Sequence, residues 1–317
     1  MTPFTSTGFG RALRRGACVI LALLATAVAS AAGPRPIVSL APAGELSGHA
    51  IEALERPGDV AVDHRGDIVI ADAGAHRVII VDPAGDTVTE FGGYGWEEGR
   101  FDGPSDVAIY PGFYVYVLDR GNRRVQRFDA EGDFVDLPIA EDEAGSPTGI
   151  EVGPSGELLV VDEDSQVVRV FSQFDEALEP IGHFGAEMGG LVAPAAIAVG
   201  PSREIAVGDP GRAAVEIFDE FGSHLRTLTA PDTLAPSALA FDREGNLLVA
   251  DVYRGRVLSY SRGSARSTAS IGRDALGVAF DPAGLVFDGR GDLLVLDAGG
   301  GRLLRIRVEY GDDATRG

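Results

Sequence analysis

Two short apolar runs joined by a polar turn recur along this chain. Val60-Ala61-Val62 is followed by Ile68-Val69-Ile70-Ala71, and the pair returns as Leu239-Ala240-Phe241 and Leu247-Leu248-Val249-Ala250. Each pair begins after a proline and ends, fifteen residues past it, on an aspartate: Pro57/Asp72, Pro104/Asp119, Pro147/Asp162, Pro194/Asp209, Pro236/Asp251 and Pro282/Asp297. The units start at uneven intervals of 42 to 47 residues, yet the register inside them does not slip. Between the runs lies D-x-x-G, as in Asp63-His64-Arg65-Gly66. Its Asp caps a tight turn and its Gly takes the positive φ that closes it. A third run follows the aspartate, such as Arg77-Val78-Ile79-Ile80-Val81, then a second turn, Asp82-Pro83-Ala84-Gly85, and a weaker fourth run over residues 87–91.

This pattern predicts one four-stranded antiparallel meander per unit. The first two strands are nearly continuously apolar, as strands buried on both faces are, and the later ones mix in charge. A repeat of this length with a gradient from inside to outside is the mark of a β-propeller blade. No stretch longer than a turn carries helical periodicity. The expected fold is an all-β, six-bladed β-propeller over residues 57–310. The last unit has three strands, so the missing one should come from Pro36-Ile37-Val38-Ser39-Leu40. Residues 37–40 are expected to lie beside 303–308 and close the ring, removing the open sheet edges.

Composition adds a leader and a charge. Arg11, Arg14 and Arg15 precede an apolar stretch over residues 19–28, followed by small-residue sites at Ala27-Val28-Ala29 and Ala29-Ser30-Ala31. Residues 1–32 thus read as a signal peptide, cleaved near 29–32, which implies export to the periplasm or the exterior. Residues 33–56 then form the lead-in with the closing strand, and 311–317 a polar tail. Cleavage removes Cys18, the sole cysteine, so no disulfide supports the mature domain. All 27 basic residues are Arg. Without the leader, 24 face 48 acidic residues, a net charge of −24. That balance disfavours nucleic acid and anionic membranes and favours cationic partners.

The run Asp119-Arg120-Gly121-Asn122-Arg123-Arg124-Val125-Gln126-Arg127-Phe128-Asp129 resembles the NHL-repeat family, as does the linker from Phe91 to Pro104. The resemblance covers residues 37–310. It implies the propeller fold; some members of the family and of related six-bladed propellers are lyases or lactonases with a metal in the central cavity, and others bind macromolecules. The residues used by those enzymes do not map onto this chain. It departs from the pattern at Tyr110-Pro111-Gly112-Phe113, at Val167 and at Ala214 and Arg203, where altered loops are expected.

The six repeated aspartates tempt as acids, but repetition at one position indicates a local cap for the backbone that follows. The repeated Arg77, Arg124, Arg256 and Arg302 should pair with them or with a neighbouring blade. Features that do not repeat are better candidates. Asp59 and Asp106 stand two residues after the first two prolines, where other units have Gly or Ala. Near the channel, two such carboxylates could hold Ca²⁺, or simply be solvated acids. The five His residues do not gather as a transition-metal site. His76 could act as an acid or base on the top loops, or simply be a solvated loop histidine. Tyr94, Trp96, Phe101 and Arg100 in the first linker, with Arg123, Tyr253 and Arg254 elsewhere, have the composition of a binding hot spot, or the linker folds back and packs its rings on the blade edge. His183, Phe184 and Met188 occupy the corresponding linker before the fourth unit.

No nucleophile elbow, P-loop, H-E-x-x-H or C-x-x-C occurs. The expectation is a monomeric, non-catalytic, cofactor-free module that binds a protein, peptide or glycan through its loop-rich top face. The alternative is a lyase or lactonase-like enzyme with a divalent metal at the channel mouth.

Overall fold

The computed structural model describes residues 34–110, 114–182 and 189–311. The expected signal peptide, the Pro111-Gly112-Phe113 portion of the blade-two turn, His183, Phe184, Met188 and most of the polar tail lie outside the described residues. Over the rest, six antiparallel sheets follow one another in chain order and form a six-bladed propeller. Blade one runs Pro57–Val62, Ile68–Asp72, Arg77–Val81 and Thr87–Gly92, each strand paired to the next. In each blade the proline faces its aspartate across the first hairpin or lies just before that pairing begins.

The gradient of burial is sharper than the apolar pattern suggests, and it peaks in the second strand. Ile68–Asp72, Leu158–Asp162, Ile205–Asp209, Leu247–Asp251 and Leu293–Asp297 are buried throughout. The innermost strands are not uniformly buried on both faces as expected: Ala196–Val199 buries three of its four positions, but blade one does not follow. Pro57–Val62 buries only Pro57 and Val60, because its other positions border the open central channel. Outer strands such as Thr87–Gly92 remain exposed or half-exposed. The apolar side chains sort into six clusters, each bridging two adjacent blades. Val69, Val78 and Ile80 of blade one pack on Val107, Val117 and Phe128 of blade two, for example. Burial between blades therefore holds the ring, since each blade alone would leave two apolar faces in water.

The ring is closed by the N-terminal strand, and that strand is longer than expected. Ile37–Leu46 pairs along Arg302–Tyr310, from Ile37 opposite Tyr310 to Leu46 opposite Leu303. Its register shifts between Ile37 and Ser39 and again between Pro42 and Gly44, the second carrying it past a proline, which an edge strand tolerates. Arg35 then ion-pairs Glu244 of blade five at 2.9 Å.

Blade three departs in another way. Its sheet has three strands, and the fourth is reduced to bridges of Val168 with Ile181 and Phe171 with Ala177. Pro180 interrupts the run, having no N–H to give the ladder. Three helices of four residues, His49–Glu52, Glu141–Ala144 and Arg273–Leu276, occupy lead-ins to blades one, three and six. Among the described residues no helix is long and apolar enough to cross a membrane.

Candidate functional site

The repeated aspartates are built into the frame. All six side chains are fully buried. Each accepts backbone N–H bonds from the lead-in to its own blade: Glu55 and Arg56 donate to Asp72, Asp102 to Asp119 at 2.7 Å, and Val192 and Ala193 to Asp209. The other oxygen takes the repeated arginine, with Nε at 2.9 Å in the Arg124–Asp119, Arg256–Asp251 and Arg302–Asp297 pairs. The guanidinium then reaches a lead-in carbonyl, such as Ala53 for Arg77 and Glu97 and Arg100 for Arg124. Each pair thus staples the chain entering a blade to the middle of that blade.

Two blades depart, where the sequence did. In blade three, Val167 has no donor, and Arg169 supplies it from two residues on, the same face of a strand of period two. Burial pushes the Asp162 carboxyl up, but bonds from Ser165, Ser146 and Arg169 outweigh it and hold the carboxyl below its usual range. In blade four the position matching Arg169 is Glu216, a buried carboxylate that meets Arg212 at 2.7 Å, His224 at 2.8 Å and the Thr227 hydroxyl at 2.6 Å.

The loop into blade two is held by packing and hydrogen bonds and presents aromatic rings. Phe101 is fully buried, packed on Phe91 and Phe128 at ring separations of 6.4 and 5.5 Å. The Asn122 amide donates to the Gly95 carbonyl, Gln126 accepts from the Gly99 N–H, and Arg100 donates to the Gly92 carbonyl. Tyr94 and Trp96 stay out, 73% and 59% exposed. His76 is one of the props. Its Nδ1 accepts the Gly103 N–H at 3.0 Å and its ring stands edge-on to Tyr94 at 4.9 Å. That nitrogen is thereby engaged in holding the loop.

The remaining candidates are spread along the ring. Arg123 pairs with Glu141 of the lead-in to blade three at 2.9 Å, both exposed. Arg254 pairs with Asp232 at 3.0 Å, beside a 75% exposed Tyr253 on blade five. The structure therefore gathers His76, Tyr94, Trp96 and Arg100 on one loop system, while Tyr253 and Arg254 belong to another blade.

Asp59 and Asp106 do meet. Both line a central cavity of about 620 Å³, and their carboxyl groups are close enough to shift one another's titration. Each also reaches forward one blade: Asp59 accepts the Val107 N–H at 3.4 Å and Asp106 the Ile150 N–H at 3.1 Å. Burial, above all, pushes both carboxyls up, Asp59 to about 6, while the neighbouring Asp59 charge adds to the rise at Asp106. Glu151 joins them from blade three, pushed up to about 7 by burial. Sequence reasoning missed it. Four residues after each proline the units carry Ala61, Ala108, Glu151, Ala198, Ala240 and Val286, so following the face on which Asp59 and Asp106 lie by one further step of two singles Glu151 out. The same cavity is walled by Ala196, Ile197, Ala238, Leu239 and Leu285 on blades four to six. Among the described residues no group of three or more His, Cys, Asp or Glu is arranged to hold a metal ion.

The architecture and the open, asymmetrically lined channel define a six-bladed β-propeller. Its repeats are similar to those of NHL-repeat proteins. Parts of the chain resemble the protein brain tumor of Drosophila melanogaster (27% identity over 128 residues, 40% of this chain and 12% of that protein). They also resemble NHL repeat-containing protein 2 of Bos taurus (33% over 87 residues, 25% and 12%). The E3 ubiquitin-protein ligase NHLRC1 of Rattus norvegicus is 25% identical over 202 residues, 59% of this chain and 50% of that one. The chain thus spans half or less of the length of these relatives. No family model matches it. Among solved structures, a catalytically inactive virginiamycin B lyase from Staphylococcus aureus with quinupristin superposes with a TM-score of 0.60 over 80% of both chains, at 11% identity. The Kuenenia stuttgartiensis hydrazine synthase superposes with 0.56 over 84% of this chain and 98% of that one, at 13% identity. At such identities the likeness concerns the fold alone.

Proposed function

We propose that this chain is an exported binding module that docks a protein or peptide on its top face, centred on the loop entering blade two. The observation that carries this reading is the contrast within that loop. Phe101 is sunk between two blades, the backbone is held by Asn122, Gln126 and His76, and Tyr94 and Trp96 are left in solvent. Rigid aromatic rings on a fixed loop lose little entropy on binding and serve as anchors. The relatives of NHL type agree with a scaffold of this sort. The net charge of the chain selects for a cationic partner.

Selection from a displayed peptide library, repeated with Trp96→Ala, tests the reading. Expected are binders rich in basic residues whose capture falls about tenfold or more with the variant. Undiminished capture by a folded Trp96→Ala protein overturns it, and selective capture on a glycan array with no peptide binders transfers the face to a sugar. Export is tested separately by the N-terminus of the mature protein, expected near residues 29–32.

A further inference from the structure

The channel has two unlike walls, and the loop entering blade two does not explain them. Blades one to three contribute Asp59, Asp106 and Glu151, while the lining from blades four to six is mostly small or aliphatic, as at Ala196, Ala238 and Leu285, with Ser237 and the exposed Asp281 as its polar members. The division is built by one register position. Two residues after the proline stand Asp59, Asp106, Gly149, Ala196, Ala238 and Gly284. The two glycines flank the acidic pair and leave it room. A Cβ on Gly284 would fall 2.9 Å from the Asp59 Oδ1, and one on Gly149 would fall 3.2 Å from the Asp106 Oδ2.

The acidic wall lacks a partner. Each aspartate accepts one backbone N–H from the next blade and otherwise faces its neighbour, and two such carboxyls call for a counter-charge when both are ionised. Arg120 is the cation among the lining residues, and it lies exposed. On the same wall the Ser105 hydroxyl oxygen is buried and has no hydrogen-bond partner among the described residues. An N–H donor entering the cavity would satisfy it. A bare hard cation asks for about six to eight oxygen ligands at close range, whereas here half of the lining is hydrocarbon. A cation on a carbon chain suits both halves.

We propose that the channel mouth is a receptor site for an alkylammonium or guanidinium group carried on a short apolar stem. The charged head sits on Asp59, Asp106 and Glu151 and donates to the Ser105 hydroxyl, and the stem lies against the Ala196, Ala238 and Leu285 side. The cation is either a free small amine or a Lys or Arg side chain of a docked peptide. This site shares no residue with the loop of Tyr94 and Trp96, so it stands or falls independently of the function proposed above.

Titration calorimetry on the full chain with putrescine, with the blocked peptide acetyl-Gly-Lys-Gly-amide and with butanediol tests it. Expected is saturable, salt-sensitive binding of putrescine or the peptide and none of the uncharged diol. The tighter of the two cations names the source. Glu151→Gln and Asp106→Asn should each weaken that binding about tenfold or more with unchanged circular dichroism. Glu151→Gln is the safer variant for folding, because the one hydrogen bond its carboxylate accepts comes from the adjacent Val152 N–H. Absence of saturable binding by both cations, or equal affinity in the folded variants, overturns the proposal. Ca²⁺ that excludes putrescine from the wild type and no longer binds to Asp106→Asn overturns it in favour of a metal.

Discussion

The six strand-end aspartates and the three carboxyl groups of the channel are the same chemistry in one ring, placed in opposite surroundings. Asp119 is enclosed by the Asp102 N–H, the Arg124 guanidinium and the Asn122 amide. Asp106 has the Ile150 N–H and a second carboxyl. The first kind of site returns in every blade and is satisfied within it. The second occurs on one side of the channel and is left incomplete. Repetition in a propeller marks what holds a blade together, and broken repetition marks where the surface can be used for something else.

Removing a staple should have the largest effect. Asp119→Ala strips Arg124 of its buried partner and is expected to cost about 3–5 kcal/mol in denaturant unfolding. Asp209→Ala should cost less, about 1–3 kcal/mol, because that blade has Ala214 in place of the arginine and the bonds lost are backbone N–H bonds from Val192, Ala193 and Arg212. Equal losses in the two variants would remove the guanidinium from the account of the staple.

The channel carboxyls should act in the opposite direction. A carboxyl raised by folding binds a proton more tightly in the native than in the unfolded state, so it contributes stability at low pH that is lost as pH rises. For Asp59, lifted from 3.8 to about 6, and Glu151, lifted from 4.5 to about 7, the loss falls between about pH 4 and pH 7. Asp106→Asn keeps an oxygen for the Ile150 N–H and removes the charge. It should stabilise the protein by on the order of 1 kcal/mol near pH 8 and by nearly nothing near pH 4. Thermal melts at both pH values check this, and a variant less stable at the higher pH would contradict it. The smallest effect belongs to the exposed loop: Trp96→Ala should change unfolding free energy by no more than about 0.5 kcal/mol while its binding is lost. A large destabilisation would mean that Trp96 is a packing residue.

Most of the ring could be read from the chain, because period-two strands and D-x-x-G turns are local signals. Residues 37–40 could be assigned to the last blade by the same means. That the strand runs on to Leu46 depends on partners as distant as Leu303, which no local pattern contains. The weak fourth strand of blade three was hidden for a different reason: Pro180 is visible, but which neighbour loses its hydrogen bonds depends on the pairing. In the candidate site, Asp59 and Asp106 stood out against Gly and Ala at their position. Glu151 was overlooked one step along the same strand face. Tyr94, Trp96 and Phe101 are adjacent in one loop, and only packing against Phe91 and Phe128 separates the buried ring from the exposed ones.

The contrast between the two sets of carboxylates is tested most directly by resolving their titrations one residue at a time, through carboxyl carbon NMR shifts against pH. Expected are Asp59 and Glu151 titrating near 6 and 7, Asp106 well above its ordinary value, and Asp162 below its own. Channel carboxyls that all titrate below about 5, in the range of ordinary exposed acids, would contradict the account. The channel would then be a solvated opening whose carboxylate charges water already satisfies.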